Sequence, residues 1–191
     1  MISPHNEQMG ERTYVVRELV RSLERITGDT AEVGVFQGRT SFFIRQAREQ
    51  GEHHAFDSFE GLSEPTPQDI SKHAKAFRWK RGDLSVGEQL VRENLAGLDG
   101  VRLYRGWVPD RFEEVAEHQF AFVHIDVDLY QPTLDSVSFF YRRLRPGGML
   151  VCDDYGFATC PGAYKAMHDF FDQQSVHIIH LSTGQGLVIK P

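Results

Sequence analysis

Hydrophobic and polar positions alternate along this chain with two periods, one typical of helices and one typical of strands. Over residues 14–26 the apolar side chains recur every three or four positions, which predicts an amphipathic helix that ends near Gly28. The short apolar run AEVGVF at 31–36 predicts a strand, and a second helical pattern follows over 39–50. The chain therefore begins as helix, strand, tight turn and helix.

The same alternation continues to the C-terminus. Further strands are predicted at 53–57, 101–106, 120–126 and 149–154. Further helices are predicted from the Ser85–Glu88 capping box, around Pro132, which suits the first turn of a helix, and over 162–174. The last stretch, 176–190, predicts two strands joined by a glycine-containing turn. This order predicts a three-layer, doubly wound α/β fold of the Rossmann-like type, with a mostly parallel sheet and an antiparallel C-terminal hairpin.

Residues 58–81 break the pattern. They contain Pro65, Pro67 and scattered charges with weak periodicity, so we interpret them as a long active-site loop or lid with one irregular helix. The chain of 191 residues, 40% of them hydrophobic, is long enough for one domain with a sizeable core and marginal for two. We therefore expect a single domain over 1–191.

Composition narrows the class of partner. A net charge of -6 argues against a nucleic-acid or anionic membrane surface, because both need clustered Lys and Arg. The two cysteines, Cys152 and Cys160, are too few for a disulfide framework, and the N-terminus has no apolar signal core. These features predict a reduced, cytoplasmic protein that acts on a small molecule and binds neither nucleic acid nor membrane.

Acidic residues stand where the predicted strands end. Asp57 ends the second strand, Asp126 and Asp128 in HIDVDLY end the fourth, and Asp153 and Asp154 in VCDDYG end the fifth. Because the carboxyl ends of parallel strands meet at one edge of a sheet, we expect these acids to converge. No Lys or Arg lies within four residues of either pair, so a hard divalent ion such as Mg²⁺ would compensate the charge. The alternative, in which these acids cap the helices that follow the strands, stays open.

The turn after the first strand, EVGVFQG, indicates a different ligand. Gly34 and Gly38 allow a tight bend, but the order matches neither a dinucleotide fingerprint nor a phosphate-binding loop. Glu32 would repel a pyrophosphate and attract a cationic ligand, while Asp57 is placed to accept hydrogen bonds from ribose hydroxyls. Together they suggest S-adenosylmethionine. Either acid alone is equally explained as a solvated carboxylate or a helix cap.

A family resemblance extends over nearly the whole chain. The segments EVGVFQG, FDSFEGL, RGWVPD, HIDVDLYQPT, RPGGMLVCDDYG, CPGAYKAMHDFF and LSTGQGLVIK occur in this order. In wording and order they resemble the macrocin O-methyltransferase family, whose members methylate sugar hydroxyls in antibiotic biosynthesis. The resemblance implies a class I methyltransferase fold, S-adenosylmethionine as methyl donor, and Mg²⁺-dependent O-methylation of a sugar or glycosylated small molecule.

The resemblance also implies roles for individual residues. Asp126, Asp153 and Asp154 become metal ligands, and Asp128 becomes the general base. The residues expected around the cofactor are Met1, Ile2, Glu32, Val33, Gly34, Val35, Phe36, Gly38, Asp57, Ser58, Phe59, Gly61, Gly106, Trp107 and Asp126. Contacts to the acceptor are expected from Tyr130, Gln131 and Tyr155, which follow the two aspartate pairs. Aromatic residues are also ordinary core residues, so the tyrosines have that alternative explanation.

The proton acceptor is predicted to be an acid. Catechol-type O-methyltransferases are similar at strands four and five, but they have a lysine base and an asparagine where this chain has Leu129 and Asp154. The lysine-base mechanism is therefore not open to this sequence. The nine histidines lack helical metal-ligand pairing, and we assign them structural or surface roles.

Two other functions fit the same pattern. One is methylation of another hydroxylated metabolite, such as a polyol or a phenol. The other is a non-catalytic nucleotide-binding relic of the fold, although such a domain has no need of four clustered aspartates. Members of the family commonly assemble, so the resemblance leaves a homo-oligomer open.

Overall fold

The computed structural model describes residues 10–72 and 77–191, and all its strands form one seven-stranded sheet. The strands are β1 Asp29–Val33, β2 His53–Asp57, β3 Val101–Arg105, β4 Phe120–Ile125, β5 Leu144–Cys152, β6 Ile179–His180 and β7 Gly186–Ile189. They lie in the order β3-β2-β1-β4-β5-β7-β6. The first five run parallel, whereas β7 is antiparallel to both β5 and β6. The predicted parallel sheet with an antiparallel C-terminal hairpin is confirmed.

Helices cover both faces of this sheet. They are α1 Glu11–Ser22, α2 Arg39–Ala47, α3 Glu88–Asn94, α4 Tyr130–Arg143 and α5 Pro161–Phe171, with short 3-10 helices at Pro67–Asp69 and Phe112–Val115. Val16 of α1 and Ile44 of α2 pack with Phe122 on one face, and Phe140 of α4 packs with Phe56 on the other. The result is the predicted three-layer arrangement. Within the described residues, no helix has the length and apolar character that a bilayer span requires.

The central strand β4 is completely buried. All six of its residues are inaccessible to solvent, because β1 and β5 flank it and helices cover both faces. The ring of Phe140 meets those of Phe120 and Phe56 edge to face, with centroids 5.1 and 5.8 Å apart. Each buried aromatic side chain contributes about 1.5–3 kcal/mol to stability. This rigid centre ends directly at the aspartates of HIDVDLY.

Two local predictions were wrong in detail. Helix α3 begins at Glu88, with Gly87 instead of Ser85 as its N-cap and without a side-chain cap, because the chain at Ser85 is still in a turn whose amide donates to the Gly82 carbonyl, two residues before the N-cap position. Strand β1 ends at Val33 instead of residue 36, because Gly34 and Phe36 have φ values of 88° and 50° in the left-handed region. The irregular helix predicted within 58–81 is confirmed at Pro67–Asp69.

Candidate active site

A cavity of about 660 Å³ opens at the carboxyl edge of the parallel strands. It joins residues predicted for the cofactor, the metal and the acceptor. The predicted residues that line it are Val33, Gly34, Phe36, Asp57, Ser58, Gly61, Gly106, Trp107, Asp126, Asp128, Gln131 and Asp154. A cavity of this size at the strand ends of an α/β sheet is typical of a small-molecule site.

The turn after β1 is held in close contact with the end of β4. The Gly34 amide donates to the Phe56 carbonyl over 2.9 Å, and the Asp126 amide donates to the Val33 carbonyl over 2.8 Å. A Cβ atom on Gly34 would collide with the carbonyl oxygen of Asp126. Only glycine therefore fits here, with a φ of 88°, which explains the first glycine of EVGVFQG.

Asp57 organises the predicted cofactor turn. Its Oδ2 accepts hydrogen bonds from the amides of Val35 and Phe36 at 2.7 and 3.0 Å, and its Oδ1 accepts one from the Phe59 amide at 2.7 Å. A carboxylate has about four acceptor positions, so three amides leave room for about one more donor. Asp57 lines the cavity, and the structure therefore offers a ribose one hydrogen bond from this side chain instead of the two that we expected.

The four aspartates converge as predicted, but they form two groups. Backbone pairing extends past the strands, since the Asp153 amide donates to the Ile125 carbonyl over 2.8 Å. Atoms that can bind a metal lie within 4.8 Å of one another in each of two sets, His124-Asp126-Asp153 and Asp128-Asp154-Cys160. The predicted ligands Asp126 and Asp154 thus belong to different sets. Within the second set, the Asp128 amide, at a φ of 58°, donates to Asp154 Oδ2 over 2.8 Å.

Burial and mutual repulsion shift the pKa values of these acids. Burial, followed by the charge of a neighbouring aspartate, raises the pKa of both Asp126 and Asp154 well above the usual range. Burial raises the pKa of Asp128 to about 6. Burial also opposes ionisation of Asp153, but the hydrogen bond and charge of His124, together with Arg12, hold its pKa below the usual value. If all four carboxylates were ionised, their mutual repulsion would destabilise the group unless a cation were bound.

Two residues that the sequence did not reveal contact Asp153. Arg12 of α1 lines the cavity and forms an ion pair with Asp153 Oδ2, while Gln185, between β6 and β7, donates to Oδ1 over 2.7 Å. Both come from more than 30 positions away in the chain. Since our charge argument considered only sequence neighbours, it missed this partial compensation. The LSTGQG motif was the only available signal for Gln185.

Glu32 lies beneath the cavity and forms part of a buried polar chain. Its Oε1 is 3.0 Å from His124 Nδ1, and its Oε2 accepts a hydrogen bond from the Ser41 hydroxyl. The chain continues from Ser41 to His53 Nε2 at 3.0 Å, and from His53 Nδ1 to the Thr30 hydroxyl at 2.9 Å. Its members are almost completely buried. Glu32 is not one of the described residues that line the cavity. Its predicted contact to the cofactor would therefore need a rearrangement.

His53 should make stability pH-dependent. Burial lowers its pKa to about 3, so the unfolded chain binds a proton below pH 6.5 that the folded protein excludes. Stability must then fall as the pH drops, by about 2 kcal/mol between pH 7 and pH 5 from this residue alone. Urea unfolding of the wild type and of His53→Gln at both pH values measures the difference. An equal pH dependence in the two proteins would contradict the assignment.

The loop predicted over 58–81 is hydrogen-bonded to the start of α4 and to the residues just before α5. Asp69 Oδ1 accepts the amide of Tyr130 at the start of α4 over 2.7 Å, and Asp69 Oδ2 accepts the amide and hydroxyl of Thr66. The Ser71 hydroxyl and the Trp79 indole donate to the carbonyls of residues 158 and 159. The described part of this loop is therefore held at several points.

Comparison with known proteins identifies the family. The family model described as macrocin-O-methyltransferase (TylF) matches residues 7–181. This chain belongs to the macrocin O-methyltransferase family. The family resemblance inferred from EVGVFQG, HIDVDLYQPT and VCDDYG is thereby confirmed.

Curated relatives of this chain are named as O-methyltransferases, and one is named for a rhamnosyl-bearing substrate. The chain is 33% identical over 158 residues to a tetracenomycin-C 4'-O-methyltransferase of Streptomyces olivaceus, named for its dimethoxy-rhamnosyl substrate, with 76% of this chain and 58% of the relative covered. It is 29% identical to the mycinamicin III 3''-O-methyltransferase of Micromonospora griseorubida, with 79% and 63% covered. The chain thus spans about three fifths of the length of these relatives.

Solved structures show the fold of the family. The O-methyltransferase NovP aligns with a TM-score of 0.77 at 23% identity, over 94% of this chain and 79% of NovP. The calicheamicin methyltransferase CalS11 aligns with a TM-score of 0.74 at 18% identity, over 93% and 77%. The fold is the class I methyltransferase fold that the sequence predicted.

Three further residues predicted for the cofactor site do not line the cavity, although the amides of Val35 and Phe59 bind Asp57. Val35 and Phe59 pack in the core with Val91 of α3 and with Leu95, which directly follows this helix. Gly38 precedes α2 and also faces that cluster.

The two tyrosines expected at the acceptor also point away from the cavity. The Tyr130 hydroxyl donates to Asp169 on α5 over 2.8 Å, and the buried Tyr155 hydroxyl is 3.0 Å from His168 Nε2. Gln131, by contrast, lines the cavity and donates to Asp135 over 2.9 Å. Met1 and Ile2, which were expected over the cofactor, lie outside the described residues.

Proposed function

We propose that this protein is an S-adenosylmethionine- and Mg²⁺-dependent O-methyltransferase that acts on a hydroxyl of a sugar or of a glycosylated small molecule. One observation carries the proposal. The glycine turn after β1 and the acids after β4 and β5 line the same cavity, so a methyl donor and a cation would share one space. The name of one relative, which refers to a rhamnosyl-bearing substrate, supports a sugar acceptor.

The part of the cavity lined by Gly34, Asp57, Gly106 and Trp107 fits S-adenosylmethionine. This cofactor supplies an electrophilic methyl group when bound. Gly34 and Gly106 both have left-handed backbone conformations and leave the walls free of side chains. Asp57 retains capacity for about one more hydrogen bond. Trp107 offers an aromatic surface beside it. These residues would hold and orient the donor.

The acid half fits a hard divalent cation, because its donors are carboxylate oxygens with unrelieved repulsion. Asp126 and Asp153 of one set would hold Mg²⁺ together with Asp154 of the other, once side-chain movement brought Asp154 to the same ion. The ion would supply charge neutralisation and a lower pKa for a nearby hydroxyl. His124 and Gln185 fix the orientation of the Asp153 carboxylate from behind. Arg12 already pairs with Asp153 Oδ2, so this guanidinium would have to share or release that oxygen.

Asp128 is the residue that we propose as the proton acceptor. Its left-handed backbone and the bond from its amide to Asp154 fix its position at the cavity wall. The Cys160 thiol donates to its Oδ1 over 3.4 Å. With Leu129 fully buried in the next position, this chain has no lysine there to take the role. A positioned carboxylate base contributes about 10²- to 10⁴-fold to such a reaction.

Removal of divalent ions is expected to abolish methyl transfer reversibly. The assay follows S-adenosylhomocysteine formation with glycosylated metabolites and nucleotide sugars as acceptors, before chelation, after EDTA treatment and after Mg²⁺ is restored. We expect a loss of at least about 100-fold, because charge neutralisation contributes this much at comparable sites. An undiminished rate after chelation would rule out the metal role.

Calorimetry separates an enzyme from the non-catalytic relic. In an enzyme, the acceptor binds only when Mg²⁺ is present, whereas S-adenosylmethionine binds with or without it. In a relic, S-adenosylmethionine or another nucleotide binds and Mg²⁺ changes nothing. A polyol or phenol that is methylated in preference to every sugar would favour the other hydroxylated acceptors.

A single domain over 1–191, a cytoplasmic location and a homo-oligomer remain part of the proposal. Light scattering on the purified chain measures its mass directly. A mass of 21.8 kDa would show a monomer, and a multiple of it would show assembly.

A further inference from the structure

A second group of metal-binding side chains lies at the opposite end of the sheet from the cavity. It consists of Asp29 at the start of β1, His54 on β2 and His118 in the turn before β4, and their ligand atoms lie within 4.8 Å of one another. Asp29 Oδ2 is 2.7 Å from His118 Nδ1 and 3.2 Å from His54 Nε2. The proposed methyl transfer uses none of these residues.

We propose that Asp29, His54 and His118 form a binding site for a first-row transition-metal ion, with Zn²⁺ as the best-matched ion. Two imidazoles and one carboxylate form a donor set that Zn²⁺ favours and Mg²⁺ does not. Ligand bonds of about 2.0–2.1 Å place tetrahedral donors about 3.3 Å apart. The observed separations from Asp29 Oδ2 are close to that value, so small side-chain movements would admit the ion.

Each of the two more buried ligands is held by a further partner, as metal ligands usually are. His54 Nδ1 is 2.9 Å from the Tyr104 hydroxyl, which can donate or accept and therefore allows His54 Nε2 to face a metal. Asp29 Oδ1 accepts the amide of Glu52 over 2.9 Å, which leaves Oδ2 directed at both imidazoles. These partners fix the ring and the carboxylate before any ion arrives.

The site is partly open to solvent. The His54 side chain is fully buried, whereas 18% of the Asp29 side chain and 37% of the His118 side chain remain exposed. Water could therefore complete the coordination, and the ion has a path of entry. Arg48 donates to the carbonyl of Gly28, next to Asp29, and its positive charge lowers the affinity for any cation. The ion would join β1, β2 and the turn before β4 into one unit.

The test is a titration of the tag-free chain with Zn²⁺ in the presence of excess Mg²⁺, which competes with Zn²⁺ for the carboxylates of the proposed active site. We expect a Kd of about 1 μM or tighter. His118→Gln should weaken binding by at least about 10-fold. Because His118 is partly exposed, this variant should fold normally, and circular dichroism checks that. His177→Gln, which removes an exposed histidine elsewhere, should bind Zn²⁺ like the wild type.

Two further measurements distinguish this site from the proposed active site. Asp153→Asn should retain Zn²⁺ binding. At a Zn²⁺ concentration 100-fold above Kd, the Tm of the wild type should rise by about 5 °C or more. The Tm of His118→Gln should not rise. Failure of the methyl-transfer assays would leave these results untouched. Absence of binding, equal binding by His118→Gln, or loss of binding only in Asp153→Asn would each overturn the proposal.

Discussion

Replacing Asp153 by asparagine is expected to lower methyl transfer by about 100- to 1,000-fold, the scale of losing one key electrostatic group in an active site. The substitution keeps the shape of the side chain and an oxygen that can accept from Gln185, but it removes the charge that faces Arg12. Affinity for S-adenosylmethionine should change little, because Asp153 does not line the cavity. Initial rates at saturating donor, together with calorimetry of donor binding, measure both effects.

A matched control removes an acid of the same type from an exposed place. Asp172 lies on the surface just after α5, and Asp172→Asn should leave the rate unchanged. Equal rates for Asp153→Asn and the wild type would refute the role of Asp153. A loss of donor binding as large as the loss of rate would mean that Asp153 supports the cavity itself and not the proposed cation.

Gly34→Ala is expected to cost about 3 kcal/mol or more of unfolding free energy, the sum of left-handed backbone strain and a steric overlap. Its φ is 88°, and the new Cβ would strike the carbonyl of Asp126. Relief of this overlap must separate the β1 turn from the end of β4, so binding of S-adenosylmethionine should fall as well. Urea unfolding and calorimetry give the two quantities.

Gly97→Ala is the matched control for this prediction. Gly97 has almost the same backbone, with a φ of 87°, but nothing lies within 4 Å of an added Cβ. Only the strain remains, and it costs about 1–2 kcal/mol. Donor binding should be unaffected. If both variants lost the same stability, the contact between Gly34 and Asp126 would not matter.

Much of the fold followed from the hydrophobic pattern, because buried strands and amphipathic helices have distinct periods. Strand β2 begins and ends where HHAFD predicted it. The convergence of Asp126, Asp128, Asp153 and Asp154 also followed, since parallel strands place their carboxyl ends at one edge. These features depend on local sequence and on one rule of sheet topology.

Predictions that depended on side-chain direction were less accurate. Position alone placed Tyr130 beside the acceptor, but the first turn of α4 directs its hydroxyl to Asp169 on the neighbouring helix. Arg12 and Gln185 reach Asp153 only through the tertiary fold, so neighbours in sequence gave no sign of them. Glu32 was expected to contact the cofactor, whereas His124 and Ser41 enclose it.

Asp69 accepts hydrogen bonds from two different elements. This matters for any attempt to change the acceptor preference by replacing the loop over 58–81. One carboxylate oxygen shapes the loop at Thr66, and the other holds the first amide of α4, two residues after Asp128. A Cβ atom on Gly162 of α5 would collide with Asp69 Oδ1, so α5 packs closely against the same carboxylate. A loop transplanted from a relative would therefore carry its new selectivity intact only if it brought an aspartate to this place.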